Sequence, residues 1–169
     1  MQRICAWCKK YIGETIGDGE PSHYITHGIC EECIFYFKTQ EVSVRDFLNT
    51  FSQPIVAFDW DVRAETANDA YLQLTGKAMS QIEHMMGGQL IECEASRTPE
   101  GCGRNVCCTG CAARKSITHT YQTGESLTNV ESIHRVHQVD GTISEIRILF
   151  STEKVGECVL VRMDKVSSV

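Results

Sequence analysis

The stretch ANDAYLQLTG, residues 67–76, marks the point at which the chain changes from strands to helices. Ala70, Tyr71 and Leu74 recur at helical spacing, so the stretch predicts a helix with one buried face. Gly76 predicts the end of this helix, because glycine readily adopts the left-handed conformation that terminates many helices.

Strands are predicted before this helix and further helices after it. The segment PIVAFDW, residues 54–60, predicts a strand, and a second short strand is predicted around residues 62–66. A capping box opens another short helix over residues 80–86, and the Gly-Gly pair that follows is predicted to stop it. A longer helix is predicted from residue 113 to Gly124.

The last third of the chain predicts three antiparallel strands. Residues 127–139 are rich in β-branched side chains, but their imperfect alternation indicates a bulge. Asp140-Gly141 predicts a hairpin turn, and Gly156 marks a second turn. Residues 145–150 and 159–163 alternate as half-buried strands do. The order of elements therefore predicts an α+β domain built on one antiparallel sheet with short helices.

Four cysteines near the start of the chain have the spacing C-x2-C-x21-C-x2-C: Cys5, Cys8, Cys30 and Cys33. Two such pairs, separated by a glycine-rich loop, predict a tetrahedral zinc site. So short a unit buries too little apolar surface to fold alone, and residues 1–38 are therefore predicted to be stapled by a structural zinc ion. The alternative is two disulfides in a secreted fragment, but the first residues do not resemble a signal peptide.

A short amphipathic helix is predicted over residues 43–51, between the two parts. Its apolar stripe follows the i, i+3, i+4, i+7 pattern and consists of Val44, Phe47, Leu48 and Phe51. The stripe can pack on its own domain or on a second copy of the chain, and we expect a homodimer contact through this helix.

A second group of cysteines lies in the segment 93–111, which reads CEASRTPEGCGRNVCCTGC. One selection has the spacing C-x8-C-x5-C-x2-C and leaves Cys107 out: Cys93, Cys102, Cys108 and Cys111. The glycines between them let the backbone turn tightly enough to bring separated thiols together. Three interpretations stay open: a tetrathiolate site for zinc or an iron–sulfur cluster, a thiol–disulfide switch between Cys107 and either Cys108 or Cys111, and inert packing.

The composition excludes several classes of function. The chain has 169 residues and a formal charge of −6, and its scattered basic residues form no face for nucleic acid. No apolar run approaches the roughly 20 residues of a membrane span, and we expect a cytoplasmic protein. In that compartment ten cysteines indicate metal or redox work. No Walker, G-x-S-x-G or H-E-x-x-H motif is present, so we expect no enzymatic activity.

Two stretches resemble the opening of a PAS sensor domain: FLNTFSQPIVAFD, residues 47–59, and ANDAYLQLTG, residues 67–76. In that family a helix leads into the first strand, and an AN-x-A-x-x-x-x-TG stretch forms the first helix after the second strand. The resemblance covers residues 43–167 and implies a PAS-like antiparallel sheet with short helices. It also implies sensing of a signal rather than catalysis.

The cysteine-bearing parts show two further resemblances. Residues 1–38 resemble a zinc-ribbon-like module of bacterial two-component signalling proteins through ICAWCKK (residues 4–10) and HGICEEC (residues 27–33). The segment 93–111 resembles a cysteine-rich insert found in a subgroup of PAS domains. That resemblance assigns one set of ligands: Cys93, Cys102, Cys108 and Cys111. It leaves zinc, an iron–sulfur cluster and a disulfide open as the occupant.

Because no kinase or output region is visible in the sequence, we expect the signal to pass to another protein, such as a histidine kinase. The alternative function is a zinc-ribbon adaptor, a regulator that binds protein or nucleic acid and whose metal sites are purely structural.

Overall fold

The computed structural model describes residues 2–5, 8, 10–14, 25–34 and 43–169. The chain divides into two units, residues 1–47 and residues 48–169. Most of the loop between the two N-terminal cysteine pairs, and the predicted module boundary at residue 38, lie outside the described residues.

The first unit contains a three-stranded sheet. Its strands are β1 (Gln2–Cys5), β2 (Tyr11–Glu14) and β3 (Ile25–Gly28). The central strand β1 runs antiparallel to β2 and parallel to β3. Among the described residues of this unit, three buried thiols form a cluster with two partly buried isoleucines: Cys5, Cys30, Cys33, Ile12 and Ile29. Three of the four cysteines of the predicted zinc site are therefore buried together.

Helix α1 spans Val44–Leu48, which is shorter than predicted. Of the predicted apolar stripe, Phe47 and Leu48 are buried within the single chain, whereas Val44 is 54% exposed. Two members of the stripe therefore need no second copy of the chain to cover them. The homodimer contact through this helix stays a prediction.

The second unit is a five-stranded antiparallel sheet with short helices packed on one face. Its elements in chain order are β4 (Ile55–Phe58), β5 (Ala64–Ala67), α2 (Asp69–Thr75), α3 (Met79–Ile82), α4 (Gly87–Leu90), two 3-10 segments (Glu94–Arg97 and Val106–Gly110), α5 (Ala112–Thr123), β6 (Leu127–His137), β7 (Ile143–Val155) and β8 (Cys158–Ser168). The strand order in the sheet is β5-β4-β8-β7-β6. The α+β prediction, with one antiparallel sheet, is confirmed.

The core of this unit lies between the helices and the inner face of the sheet. The alternation predicted for the last strands is correct, since Ile148, Phe150, Val159 and Val161 are all at most 5% exposed. Helices contribute further buried side chains to the same cluster: Tyr71, Ile82, Leu90 and Ile117. The predicted bulge in β6 is also present, because its register with β7 shifts between Leu127 and Val130.

Two details of the helices differ from the prediction. Leu74 is 48% exposed, because the buried face of α2 is centred between Tyr71 and Leu72 and Leu74 lies beyond its edge. The helix predicted over residues 80–86 ends at Ile82, and the Gly-Gly pair begins α4 instead of stopping a helix. The backbone of residues 84–85 leaves the helix because it forms hydrogen bonds with both sides of Ala64.

One buried side chain joins the beginning of the second unit. Asn68 is fully buried and caps α2, with its Oδ1 accepting from the backbone N–H of Tyr71 (3.0 Å) and of Ile55 (2.9 Å). Its Nδ2 donates to the carbonyl oxygens of Gln53 (2.8 Å) and Leu48 (3.1 Å). A single amide therefore holds the end of α1, the start of β4 and the start of α2 together.

We expect Asn68→Ala to destabilise the second unit by about 3 kcal/mol or more, because it leaves several buried backbone groups without partners and removes a helix cap. The matched control is Asn49→Ala, since Asn49 accepts one exposed hydrogen bond from the backbone of Asp69 and its loss should cost less than about 1 kcal/mol. Urea denaturation followed by circular dichroism measures both. Equal effects of the two changes would contradict the role of Asn68.

Candidate functional site

The four N-terminal cysteines come together at one point. Their Sγ atoms all lie within 4.8 Å of one another, and the Sγ atoms of Cys8 and Cys30 are 3.6 Å apart. Sulfurs at the corners of a tetrahedral zinc site are about 3.8 Å apart, given a Zn–S bond of about 2.3 Å. The backbone N–H of Cys30 also lies 3.5 Å from the Sγ atom of Cys5. This four-cysteine group has the arrangement needed to hold a metal ion.

The electrostatics of this group favour a bound cation. Burial, followed by hydrogen bonds with the neighbouring thiols, raises the pKa of the Cys33 thiol. Four thiols so close together cannot all ionise without a positive charge among them. A divalent ion supplies that charge and converts coordinating thiols to thiolates.

The second set of cysteines lies in the other unit, on the wall of a cavity of about 80 Å³ between the sheet and the helices. Four cysteines line this cavity: Cys93, Cys102, Cys108 and Cys111. Cys107 does not line it; that side chain is exposed and its Sγ atom lies 2.8 Å from Asn105 Oδ1. The cavity wall thus contains the same four cysteines that the spacing selects.

Backbone N–H groups donate to three of these sulfurs. Gly103 N–H donates to Cys108 Sγ at 3.2 Å. Burial raises the pKa of the Cys93 and Cys102 thiols, and backbone hydrogen bonds from Ala95 and Gly88, respectively, act in the opposite direction. Hydrogen bonds from backbone N–H groups stabilise thiolate, which is the form that binds a metal or reacts.

The two sets of cysteines differ in how closely the sulfurs approach. In the part of the chain that the structure describes, the N-terminal group is the one set of three or more potential ligands whose atoms all lie within 4.8 Å of one another. The cysteines of the second set share a cavity wall, but no three of their sulfurs form such a close group, so this set is more widely spread. The donor chemistry of this set suits zinc or iron–sulfur, whereas its spacing requires the sulfurs to move closer around an ion.

The segment that begins at Cys93 is anchored to the sheet. Glu92, the residue before Cys93, accepts hydrogen bonds from Lys77 and from Arg97 (2.9 Å). These hydrogen bonds lower the pKa of its carboxyl group. The carbonyl oxygen of Glu92 accepts from the backbone N–H of His137 in β6 at 2.9 Å. Cys93 is therefore held at the edge of the sheet, and Cys111, at the start of α5, lines the same cavity.

Helix α5 is bound to the sheet at its C-terminal end. The hydroxyl oxygens of Thr120 and Thr152 are 2.7 Å apart and both residues are buried. Lys154 Nζ donates to the carbonyl oxygen of Tyr121 at 2.7 Å. The cysteine-bearing end of the helix is the end far from these contacts.

Three polar residues of the cavity wall were missed by the sequence analysis: Arg114, Ser132 and His134. A signal for Arg114 was available, because a basic residue in the first turn of a helix opposes the helix dipole and so breaks a local rule. Ser132 and His134 alternate on an ordinary strand, where nothing distinguishes a cavity-lining polar residue from a surface one.

Comparison with known proteins identifies the fold of the five-stranded unit. No protein-family model and no curated protein sequence matches the chain. Among solved structures, a LOV protein from Rhodobacter sphaeroides is similar, with 16% identity, a TM-score of 0.50, and coverage of 78% of this chain and 68% of that one. The five-stranded sheet and its helices have a PAS-like fold.

Two other solved structures match with lower TM-scores. A domain of a sensory box sensor histidine kinase/response regulator from Geobacter sulfurreducens is 17% identical, with a TM-score of 0.47 and coverage of 78% of this chain and 96% of that one. The PAS domain of nitrogen regulation protein NR(II) from Vibrio parahaemolyticus is 19% identical, with a TM-score of 0.45 and coverage of 73% and 99%.

Within the described residues, no helix has both the length and the apolar character needed to cross a bilayer.

We expect Cys30→Ser to lower the metal content by one equivalent per chain and to unfold the first unit, because a three-thiol site loses most of its binding free energy. The PAS-like unit should stay folded. Metal analysis and two-dimensional NMR measure the two effects. Cys158→Ser is the control, since Cys158 is half-buried on β8 and belongs to neither set. An unchanged metal content in Cys30→Ser would contradict the assignment of Cys30 as a metal ligand.

Proposed function

We propose that this protein is a sensory signal-transduction protein in which the PAS-like unit detects its signal through the second set of cysteines. The observation that carries the proposal is the position of four thiols on the wall of one cavity inside a PAS-like fold. The fold alone does not identify a function, since similar folds serve many functions, so the proposal depends on this site.

In this proposal the two sets of cysteines have different roles. The Sγ atoms of the N-terminal thiols lie within 4.8 Å of one another and would hold a zinc ion that stabilises the first unit. Cys93, Cys102, Cys108 and Cys111 would hold zinc or an iron–sulfur cluster. Because the sulfurs of this second set are more widely spread, binding at the second site must draw the segment 102–111 and the start of α5 toward Cys93.

Coupling between binding and movement is what a sensor needs, because a ligand shifts a conformational equilibrium only through its different affinity for the two states. Cys93 is anchored to the edge of the sheet, and α5 is fixed at its far end through Thr120 and Thr152. Occupancy of the site would therefore change the position of the start of α5 relative to β6. A purely structural site would show no such change.

The signal would then pass to a separate partner protein, such as a histidine kinase, and the chain would act as a cytoplasmic homodimer without catalytic activity of its own. The acidic net charge of −6 supports a protein partner rather than nucleic acid. The alternative of an adaptor with purely structural metal sites predicts that both sets bind metal with no change in conformation.

Replacing Cys108 separates this proposal from a thiol–disulfide switch. We expect Cys108→Ser to lose the metal of the second site and to shift the NMR resonances of the first turn of α5, because one of four ligands is gone. Cys107→Ser is the matched control, since Cys107 is the exposed neighbour outside the cavity wall. Its metal content should equal that of the wild type.

Three outcomes would count against the metal site. Full metal content in both variants would mean that the ligands are wrongly assigned. A low metal content in the wild type, together with a disulfide that disappears in Cys107→Ser, would favour the thiol switch. Loss of metal from Cys108→Ser with no change in the resonances of α5 or β6 would favour a structural site and the adaptor alternative.

A further inference from the structure

A cleft of about 650 Å³ adjoins the second set of cysteines. It is lined by residues 131–135 of β6 and by parts of the segment 93–111. Three of the cavity cysteines line this cleft as well as the cavity: Cys93, Cys108 and Cys111. Their thiols therefore border two spaces, a small apolar cavity and a larger cleft.

The residues that line both spaces include a further metal-binding group. Besides the three thiols, they comprise the imidazole of His134 and two small side chains, Ala95 and Ser132. Three thiolates and one imidazole form one of the usual ligand sets of zinc. The border between the cavity and the cleft therefore carries a complete set of zinc ligands without Cys102.

Cys102 is placed differently from the other three cysteines. It lines the cavity but not the cleft, and it packs so closely on α4 that a Cβ atom on Gly88 would lie 2.8 Å from its Sγ atom. A zinc ion arrives from water, and moving it into apolar surroundings before it has ligands is costly. The cleft, whose wall includes Glu94 and Glu131, offers the ion a polar route to the other three thiols.

His134 has the hydrogen bonding expected of a zinc ligand. Its Nε2 atom lies 2.7 Å from the hydroxyl oxygen of Ser132, which is buried and two residues away on the same face of β6. Its Nδ1 atom makes no hydrogen bond to any described residue and is accessible to solvent. In zinc sites one ring nitrogen binds the ion, while a hydrogen bond from the other fixes the orientation of the ring. Nδ1 is therefore the available ligand atom.

We propose that His134 is a ligand of the second metal centre, and that a zinc ion at this centre is held by three thiolates and one imidazole: Cys93, Cys108, Cys111 and His134. This inference rests on the proposed metal site and changes one of its four ligands, because His134 takes the place of Cys102. The four thiols together stay the ligand set for an iron–sulfur cluster.

Binding of zinc balances in protons and charge. Three thiols release their protons to water and become thiolates. Nδ1 of the neutral ring contributes its lone pair, Nε2 keeps its proton and donates a hydrogen bond to Ser132, and the ion stays divalent. As for the four cavity cysteines, the ligands have to move closer around the ion. Since His134 lies on β6 and Cys111 at the start of α5, the ion would connect the strand directly to the helix.

Nitrogen-15 NMR of the histidine side chains tests the ligand in the wild-type chain. The full chain, freed of its second metal by a mild chelator, is titrated with zinc chloride. We expect the Nδ1 resonance of His134 to shift, while Nε2 keeps its proton. His137 is the internal control, since it follows on β6 but lines neither the cavity nor the cleft, and its resonances should not move. No shift of His134 Nδ1 overturns the proposal.

Variants test the same assignment through the affinity for the second zinc ion. His134→Gln should weaken binding by about a hundredfold or more, because one of four ligands is lost. His134→Cys should restore binding, since a thiolate replaces the imidazole. Ser132→Ala should weaken binding by about tenfold through the loss of ring orientation. His137→Gln is the matched control and should bind zinc as the wild type does.

Cys102→Ser and Cys108→Ser separate this inference from the proposed metal site. Cys102→Ser should weaken zinc binding less than His134→Gln does, and the opposite order would refute the role of His134. If Cys108→Ser loses the second zinc ion while His134 Nδ1 does not respond to zinc, the metal site stands and only the histidine ligand is refuted. If Cys108→Ser binds as much zinc as the wild type, the metal site itself is refuted, and the inference with it.

Discussion

The five hydrogen bonds of the buried Asn68 amide are the constraint on which the PAS-like unit depends. They join three segments, the end of α1, the start of β4 and the start of α2, at a point that water does not reach. Tyr71, one turn further along α2, is thereby directed into the core, where it forms part of the cavity wall. The cavity and the thiols around it therefore depend on the hydrogen bonds of Asn68, a residue that does not line the cavity.

Much of the fold could be predicted from the sequence, because it is encoded in local periodicity. The alternation of Ile148 and Phe150 identifies the inner face of β7. The turn at Asp140-Gly141 identifies the hairpin that β6 and β7 form. The errors occurred where tertiary contacts override local signals. The backbone of residues 84–85 leaves its helix to pair with Ala64, which no pattern in the segment 80–86 reveals.

The candidate site was predictable in part for a similar reason. Cysteine spacing predicts the N-terminal group, which the structure brings together, and it selects the four later cysteines that line the cavity. That these four bind an ion stays a prediction. Spacing does not reveal that one set is closely packed and the other spread around a cavity, since that difference depends on how α5 and β6 are placed. The position of Arg114 in the first turn of α5 was a signal in the sequence, whereas the unsatisfied nitrogen of its side chain is a property of three-dimensional packing.

The central claim is that the closely packed thiols and the more widely spread thiols form two different metal centres. Its most direct test is to measure the metal and acid-labile sulfide contents of the wild-type chain after purification without oxygen. We expect one zinc ion for the N-terminal thiols and, in addition, a second centre that a mild chelator removes first. The second centre is either a further zinc ion or iron with an equal amount of sulfide. A protein that contains a single zinc ion and no iron under these conditions would contradict the account.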